Sequence, residues 1–263
     1  MRMMYLPGEI ISVFNRWMIK TKRQPLAIFF SLVQPIIWFF LFTEAFAAIG
    51  QIPNFEQITG TDNYKTFFTA AIVIQTVMAS ALQSGIGMVD DMESGYLDKM
   101  KVAPISRSSI LIGKVLSDAV RIMIQTFIIL LLAVSVGVSI VTSVPGAIMI
   151  LIIAAAFGIA WSGLSTFVAL TTKNSETTLT IGLITTFPLL FLSTAVMPKA
   201  LLPSWVQSFS EINPISYVAD ATRSLIINGW EWTVLGEGFL VILIVGVITL
   251  SATTLMFRRS ISG

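Results

Sequence analysis

The chain contains no His and no Cys, which removes imidazole bases, thiolate nucleophiles, disulfides and the usual zinc ligands together. Hydrolysis by a nucleophilic triad or by zinc is thereby excluded. No G-x-x-x-x-G-K-[ST] loop exists either. The one Gly-Lys pair, Gly113-Lys114, is followed by Val115, and Ser108 stands where the first glycine belongs, so any ATP must be hydrolysed by another subunit. What remains able to do work is charge. The densest cluster is Asp90, Asp91, Glu93 and Asp98, interleaved with Tyr96, Leu97, Met100 and Val102. Carboxylates mixed with apolar side chains in this way can form a short helix with one face free to dock on a partner protein; a solvated loop folded on its own bundle is the plainer reading. A second group is Lys114, Asp118 and Arg121, where the four-residue step suits an interfacial ion pair on one helix face.

The elements that must position these charges are membrane helices. Of 263 residues, 55% are hydrophobic and 11% charged, with a mean hydropathy of +0.86, whereas soluble domains carry about 25% charge. Five windows hold no Asp, Glu, Lys or Arg: Gln24 to Thr43, Thr66 to Val89, Ile122 to Thr172, Thr177 to Pro198 and Gly238 to Phe257. Crossing a hydrocarbon core takes about 20 apolar residues. The third window has 51 and a turn cluster around Val144-Pro145-Gly146, so it supplies two helices. The pattern predicts an all-α, polytopic protein with six transmembrane helices at about 25–48, 66–89, 109–138, 146–171, 177–198 and 237–257.

Assigning Lys and Arg to sides of this six-span arrangement gives 13 against 3, which predicts that both termini are cytoplasmic. The acidic run from Asp90 then lies on the basic side and answers to something other than topology. Residues 1–24 read as an interfacial amphipathic helix rather than a cleavable signal. Ile10, Ile11, Phe14, Trp17 and Met18 recur at helical steps, with Arg16, Lys20 and Arg23 around them, so apolar groups would enter acyl chains and cations approach anionic headgroups. A plain basic extension is the alternative. Between the fifth and sixth spans, Pro203 and Pro214 interrupt a fairly apolar stretch, which predicts short helices dipping into the outer leaflet, with Trp205, Tyr217, Trp230 and Trp232 at the interface. Ala154, Gly158, Ser162 and Thr166 fall on every fourth position, a small-residue stripe for close helix packing inside the bundle, with a contact to another subunit as the alternative.

At the acidic loop the sequence resembles the permease subunits of ABC type-2 transporters, on Asp91-x-Glu93-x-Gly95-x-Leu97, then Ala103-Pro104-x-x-Arg107, then Gly113-Lys114. A second match runs Met197-Pro198, Leu202-Pro203-x-Trp205 and Asn213-Pro214-Ile215-x-Tyr217-Val218-x-Asp220-x-x-Arg223. The resemblance implies two permease chains, identical or related, paired with two nucleotide-binding subunits that carry the ATP and magnesium. It further implies that Asp91, Glu93, Gly95, Tyr96, Leu97, Pro104 and Arg107 belong to a cytoplasmic coupling helix seated in the ATPase. Phe14, Arg16, Trp17 and Lys20 would form the interface helix beside it. Pro203, Trp205, Asn213, Pro214 and Tyr217 would belong to re-entrant outer helices closing the pathway.

A central pathway would draw on Gln75 and Gln83 in the second span and Thr185, Thr186 and Phe187 in the fifth. Hydroxyls, amides and aromatics without charge suit an amphipathic or lipid-like substrate; each of these residues also serves as interhelical hydrogen-bonding glue in the plainer reading. The outer motif is most similar to drug- and antibiotic-exporting permeases, while polysaccharide, lipid-linked glycan and sodium exporters share much of it. The span interiors carry no acid or base, which argues against an ion-driven carrier. A membrane-embedded enzyme would lack machinery, and nothing in the chain points to nucleic acid. The expected location is the plasma or cell inner membrane.

Overall fold

The computed structural model describes residues 6–103 and 105–262, with side chains except at positions 27, 101, 107 and 258–262. Every regular element among them is helical. The chain opens with α1 (Leu6–Lys22) and α2 (Pro25–Ala45), then the short α3 (Phe55–Thr59) and the long α4 (Tyr64–Glu93). After α5 (Tyr96–Val102) come α6 (Arg107–Ser135), α7 (Ser143–Thr172) and α8 (Ser175–Phe191). Two short helices, α9 (Ser204–Ile212) and α10 (Pro214–Arg223), precede α11 (Trp232–Ser262).

Five of these are long and apolar enough to cross a membrane: α2, α4, α6, α7 and α11. The sequence places a further full span over 177–198, but α8 ends at Phe191 after 17 residues, about 25 Å, short of a ~30 Å core. Its last carbonyls are taken by side chains instead of another turn. Asn213 Nδ2 donates to Leu189 O at 2.7 Å and Leu192 O at 2.9 Å, and Ser193 Oγ donates to Leu190 O at 2.6 Å.

α4 is the hub, packed by α2, α6, α7, α8 and α10 and apolar or small around most of its circumference, as a helix enclosed by others must be. α2 and α11 bury only a narrow stripe and present Phe29, Phe30, Ile37, Leu243, Val247 and Ile248 outward, which in water would be untenable and in lipid is the ordinary surface. The chain is thus a multi-pass integral membrane protein.

Packing inside the bundle follows from small residues and hydroxyls. Ala154, Gly158, Ser162 and Thr166 are all buried, and a Cβ on Gly158 would run into Ile122 of α6, so this stripe seats α7 on its own neighbours. Ser165 Oγ accepts from Gly85 N at 3.2 Å and donates to Leu82 O at 2.9 Å, tying α7 to α4. Thr249 and Thr253 donate to the carbonyls of Ala160 and Gly163 at 2.7 and 2.6 Å, tying α11 to α7. Interhelical bonds of this kind contribute about 0.6 kcal/mol each, so cohesion comes from their number.

The segment between α8 and α11 splits in two. α10 is sunk in the bundle, with Ile215, Val218, Ala219 and Ala221 buried. Gly238 of α11 permits its approach, since a Cβ there would meet Ala221 Cβ at 2.7 Å. α9 lies outside, with Trp205, Phe209 and Ile212 exposed. A π-helical turn over Ser224–Asn228 and Gly229 at φ 111 then lead the chain into α11.

Candidate functional site

The acidic loop is a short helix held by its apolar side. α4 carries Asp91 and Glu93 in its final turn, and Gly95 at φ 66 opens α5, a left-handed conformation that favours glycine. Leu97 and Met100 are buried against Met88, Val89, Ile110, Ala169, Leu170 and Phe257. Glu93, Asp98 and Lys99 remain exposed, and Val102 is 87% exposed. The expectation that Leu97 belongs to a free docking face is therefore corrected: it anchors α5, because a seven-residue helix cannot stand off the bundle without burying something. Pro104 lies outside the described residues, as does the side chain of Arg107.

Asp91 is likewise committed within the chain. Arg16 Nη1 reaches it at 2.6 Å and Lys20 Nζ at 3.0 Å, and the Arg16 guanidinium sits 3.5 Å from the Tyr96 ring centroid. Arg16 and Lys20, read from the sequence as cations directed at headgroups, are thus paired with a carboxylate of their own chain, with their side chains 23% and 26% exposed. Val13 and Trp17 form the buried stripe of α1, Phe14 is half-buried, and Ile11 and Ile19 face outward.

Two further residues fix α1 on α6. The Glu9 carboxylate accepts from Ser106 N and Ser109 Oγ, each at 2.9 Å, an anion at a helix N-terminus where the free amide donors favour it. Gly113 lets the helices touch: a Cβ there would lie 2.8 Å from Val13 Cβ and 2.9 Å from Ile10 O. Gly113→Leu is therefore expected to lift α1 from α6 and make Arg16 and Lys20 cleavable by trypsin in membranes, where the parent chain resists; equal resistance would contradict this packing.

Beneath α1 lies a closed charged cluster. Asp118 receives Lys114 Nζ at 3.2 Å, Arg121 Nη2 at 3.0 Å and the Ser84 hydroxyl of α4, and Arg121 also donates to Ser80 O at 2.8 Å. Lys114 and Asp118 are each 2% exposed, and the Lys114 ammonium lies 4.0 Å from the Trp17 ring centroid. The spacing identified the ion pair but placed it at an interface; packing by α1 and α4 encloses it. Glu9 was missed, and its being a lone acid among the basic residues of α1 was the signal for it.

At the other end of the bundle, Pro203 precedes α9 as its N-cap residue, and Trp205 meets Phe209 edge-on. Asn213 caps α10 by accepting from Ile215 N while holding the end of α8, Pro214 is the first residue of α10, and the Tyr217 hydroxyl donates to Glu211 O at 2.6 Å. The Lys199 ammonium, hydrogen-bonded to Glu211, holds that carboxyl below its ordinary value. The pathway candidates are dispersed. Thr185 and Thr186 line a cavity of ≈ 30 Å³ with Leu82 and Trp161, Phe187 packs on Trp38, Gln83 is half-buried, and Gln75 is buried with Nε2 unbonded among the described residues. Room for about one water molecule is not a passage.

Residues 8–227 match the family described as ABC-2 type transporter. The putative transport permease ycf38 of Cyanophora paradoxa is 31% identical over 228 residues, covering 82% of this chain and 73% of that one. The daunorubicin resistance ABC transporter permease protein DrrB1 of Streptomyces coeruleorubidus is 24% identical, with 80% and 72% covered. The probable multidrug ABC transporter permease YbhR of Escherichia coli K12 is 21% identical, with 76% and 54% covered. A match across most of the chain, on a helical membrane bundle with an anchored, outward-facing α5, places this protein in the ABC-2 type transporter family as a membrane permease.

Proposed function

We propose that the chain is the permease of an ATP-driven exporter, moving an amphipathic or hydrophobic molecule such as a drug, antibiotic or lipid outward. Two nucleotide-binding subunits supply ATP and magnesium chemistry, and a second permease chain completes the pathway. The observation that carries this reading is the exposed edge formed by Glu93 at the end of α4 and Asp98, Lys99 and Val102 of α5, while Leu97 and Met100 clamp α5 to the bundle. A rigid element joined to α4 and α6 can convert closure of a partner into helix tilt, a two-state change biased from a distance. The drug-resistance relatives favour the substrate class. Both termini are cytoplasmic in this reading, and α8 completes a sixth crossing with the chain that follows it.

The test is ATP hydrolysis by the purified complex with an ATPase subunit. Stimulation by amphipathic drugs or lipids is expected; a response confined to lipid-linked glycans assigns a glycan exporter instead, and transport that proceeds without ATP removes the proposal.

A further inference from the structure

We infer that the cavity at the end of the bundle remote from α5 binds the headgroup of a zwitterionic phospholipid, its ammonium at Glu231 and Asp220 and its phosphodiester at Lys199 and Arg223. The cavity measures ≈ 600 Å³ and is walled by residues of α3, α4, α9 and α10 and of the approach to α11. Phe67, in its wall, is near the start of the 30-residue α4, which places it on the order of 40 Å from α5.

Charges of both signs line the cavity. Arg223 is 9% exposed, donates to Asp220 Oδ1 at 2.6 Å and to the carbonyls of Thr194 and Ala195 at 2.8 and 2.9 Å, and lies 3.9 Å from the Phe67 ring centroid. Its Nε is buried without a hydrogen-bond partner among the described residues. Asp220 Oδ1 also accepts from the Thr194 hydroxyl, so its second oxygen is the one turned to other uses. Glu231 is exposed and lines the cavity, as does Lys199, whose ammonium meets the Glu211 carboxylate at 2.8 Å in an exposed pair that a phosphodiester can compete for. An anionic ligand alone would press against Asp220 and Glu231, and a cationic one against Lys199 and Arg223. A ligand carrying both charges answers both.

The surroundings select a lipid over a soluble zwitterion. α9, whose Gln207 lines the cavity, turns Trp205, Phe209 and Ile212 outward, and Trp230 and Trp232, the sequence neighbours of Glu231, stack on each other at a centroid distance of 5.4 Å. An amphipathic helix flanked by indoles marks headgroup depth, so acyl chains can lie along this apolar surface while the headgroup enters the cavity.

The test needs no ATPase partner, so its failure is separate from failure of the exporter reading. The full chain in detergent is titrated with dihexanoyl phosphatidylethanolamine, dihexanoyl phosphatidylglycerol and glycerophosphoethanolamine, with bound copies counted by native mass spectrometry. Phosphatidylethanolamine is expected to bind about tenfold more tightly than either of the others, and Glu231→Gln or Lys199→Gln to weaken it about tenfold, one charged hydrogen bond each. Equal binding of phosphatidylglycerol would overturn the zwitterion. Equal binding of glycerophosphoethanolamine would overturn the lipid, and unchanged binding by both exposed-residue variants would overturn the site.

Discussion

Asp118→Ala is expected to destabilise the folded chain by about 3–5 kcal/mol, because it leaves the buried Lys114 ammonium, and the partly buried Arg121, without their shared carboxylate. Lys114 and Arg121 both terminate on Asp118; Lys114 is closed in against the Trp17 ring, while the Arg121 side chain keeps 14% of its surface exposed. The measurement is thermal unfolding in detergent, compared with a Lys114→Met, Asp118→Leu, Arg121→Met triple variant. The triple variant is expected to recover most of the loss, since apolar residues of similar volume often replace a buried ion network at little cost. An unfolding midpoint for Asp118→Ala equal to that of the parent would show that the cluster is solvated. Recovered stability without recovered transport in the triple variant would assign the charges to the working cycle as well as to the fold.

The second large effect falls on α5. Gly95→Pro forces φ to about −65° where the backbone stands at φ 66, and it removes the Gly95 N–H that bonds Met92 O at 3.0 Å. α5 then cannot leave α4 at its present angle, and Leu97 and Met100 are drawn out of their shared apolar site. Insertion should persist, because no membrane-spanning stretch is altered. Substrate-stimulated hydrolysis by the partner should fall by about tenfold or more, within the range of energetic coupling between distant sites. Glu93→Lys tests the exposed edge without strain and should reduce co-purification with the ATPase subunit. Unchanged stimulation by Gly95→Pro in a chain that still inserts would remove the coupling role from this loop.

The two variants probe levels of organisation that differ in how they can be read. The long helices were legible because absence of charge over 20 or more residues has one structural meaning in a bilayer. Gly158 and its stripe were legible for a similar reason: spacing alone puts small residues on one face. The end of α8 was not, since the carbonyls of Leu189 and Leu192 are claimed by Asn213, more than twenty positions away. No local pattern announces that competition.

The charged residues divide in the same way. Sequence by itself determined that this chain crosses a membrane repeatedly, that it lacks the residues for triad or zinc hydrolysis, and that its one acidic surplus lies beside Gly95. Those facts depend on residue type and short-range spacing. Tertiary structure decided which acids face outward and which are spent inside. Asp91 is held by Arg16 and Lys20 from 75 and 71 positions away, Asp118 is closed in by α1 and α4, and Glu93 is left at the surface. A carboxylate's role follows from the cations and the solvent around it, and in this chain the fold brings those together from distant parts of the sequence.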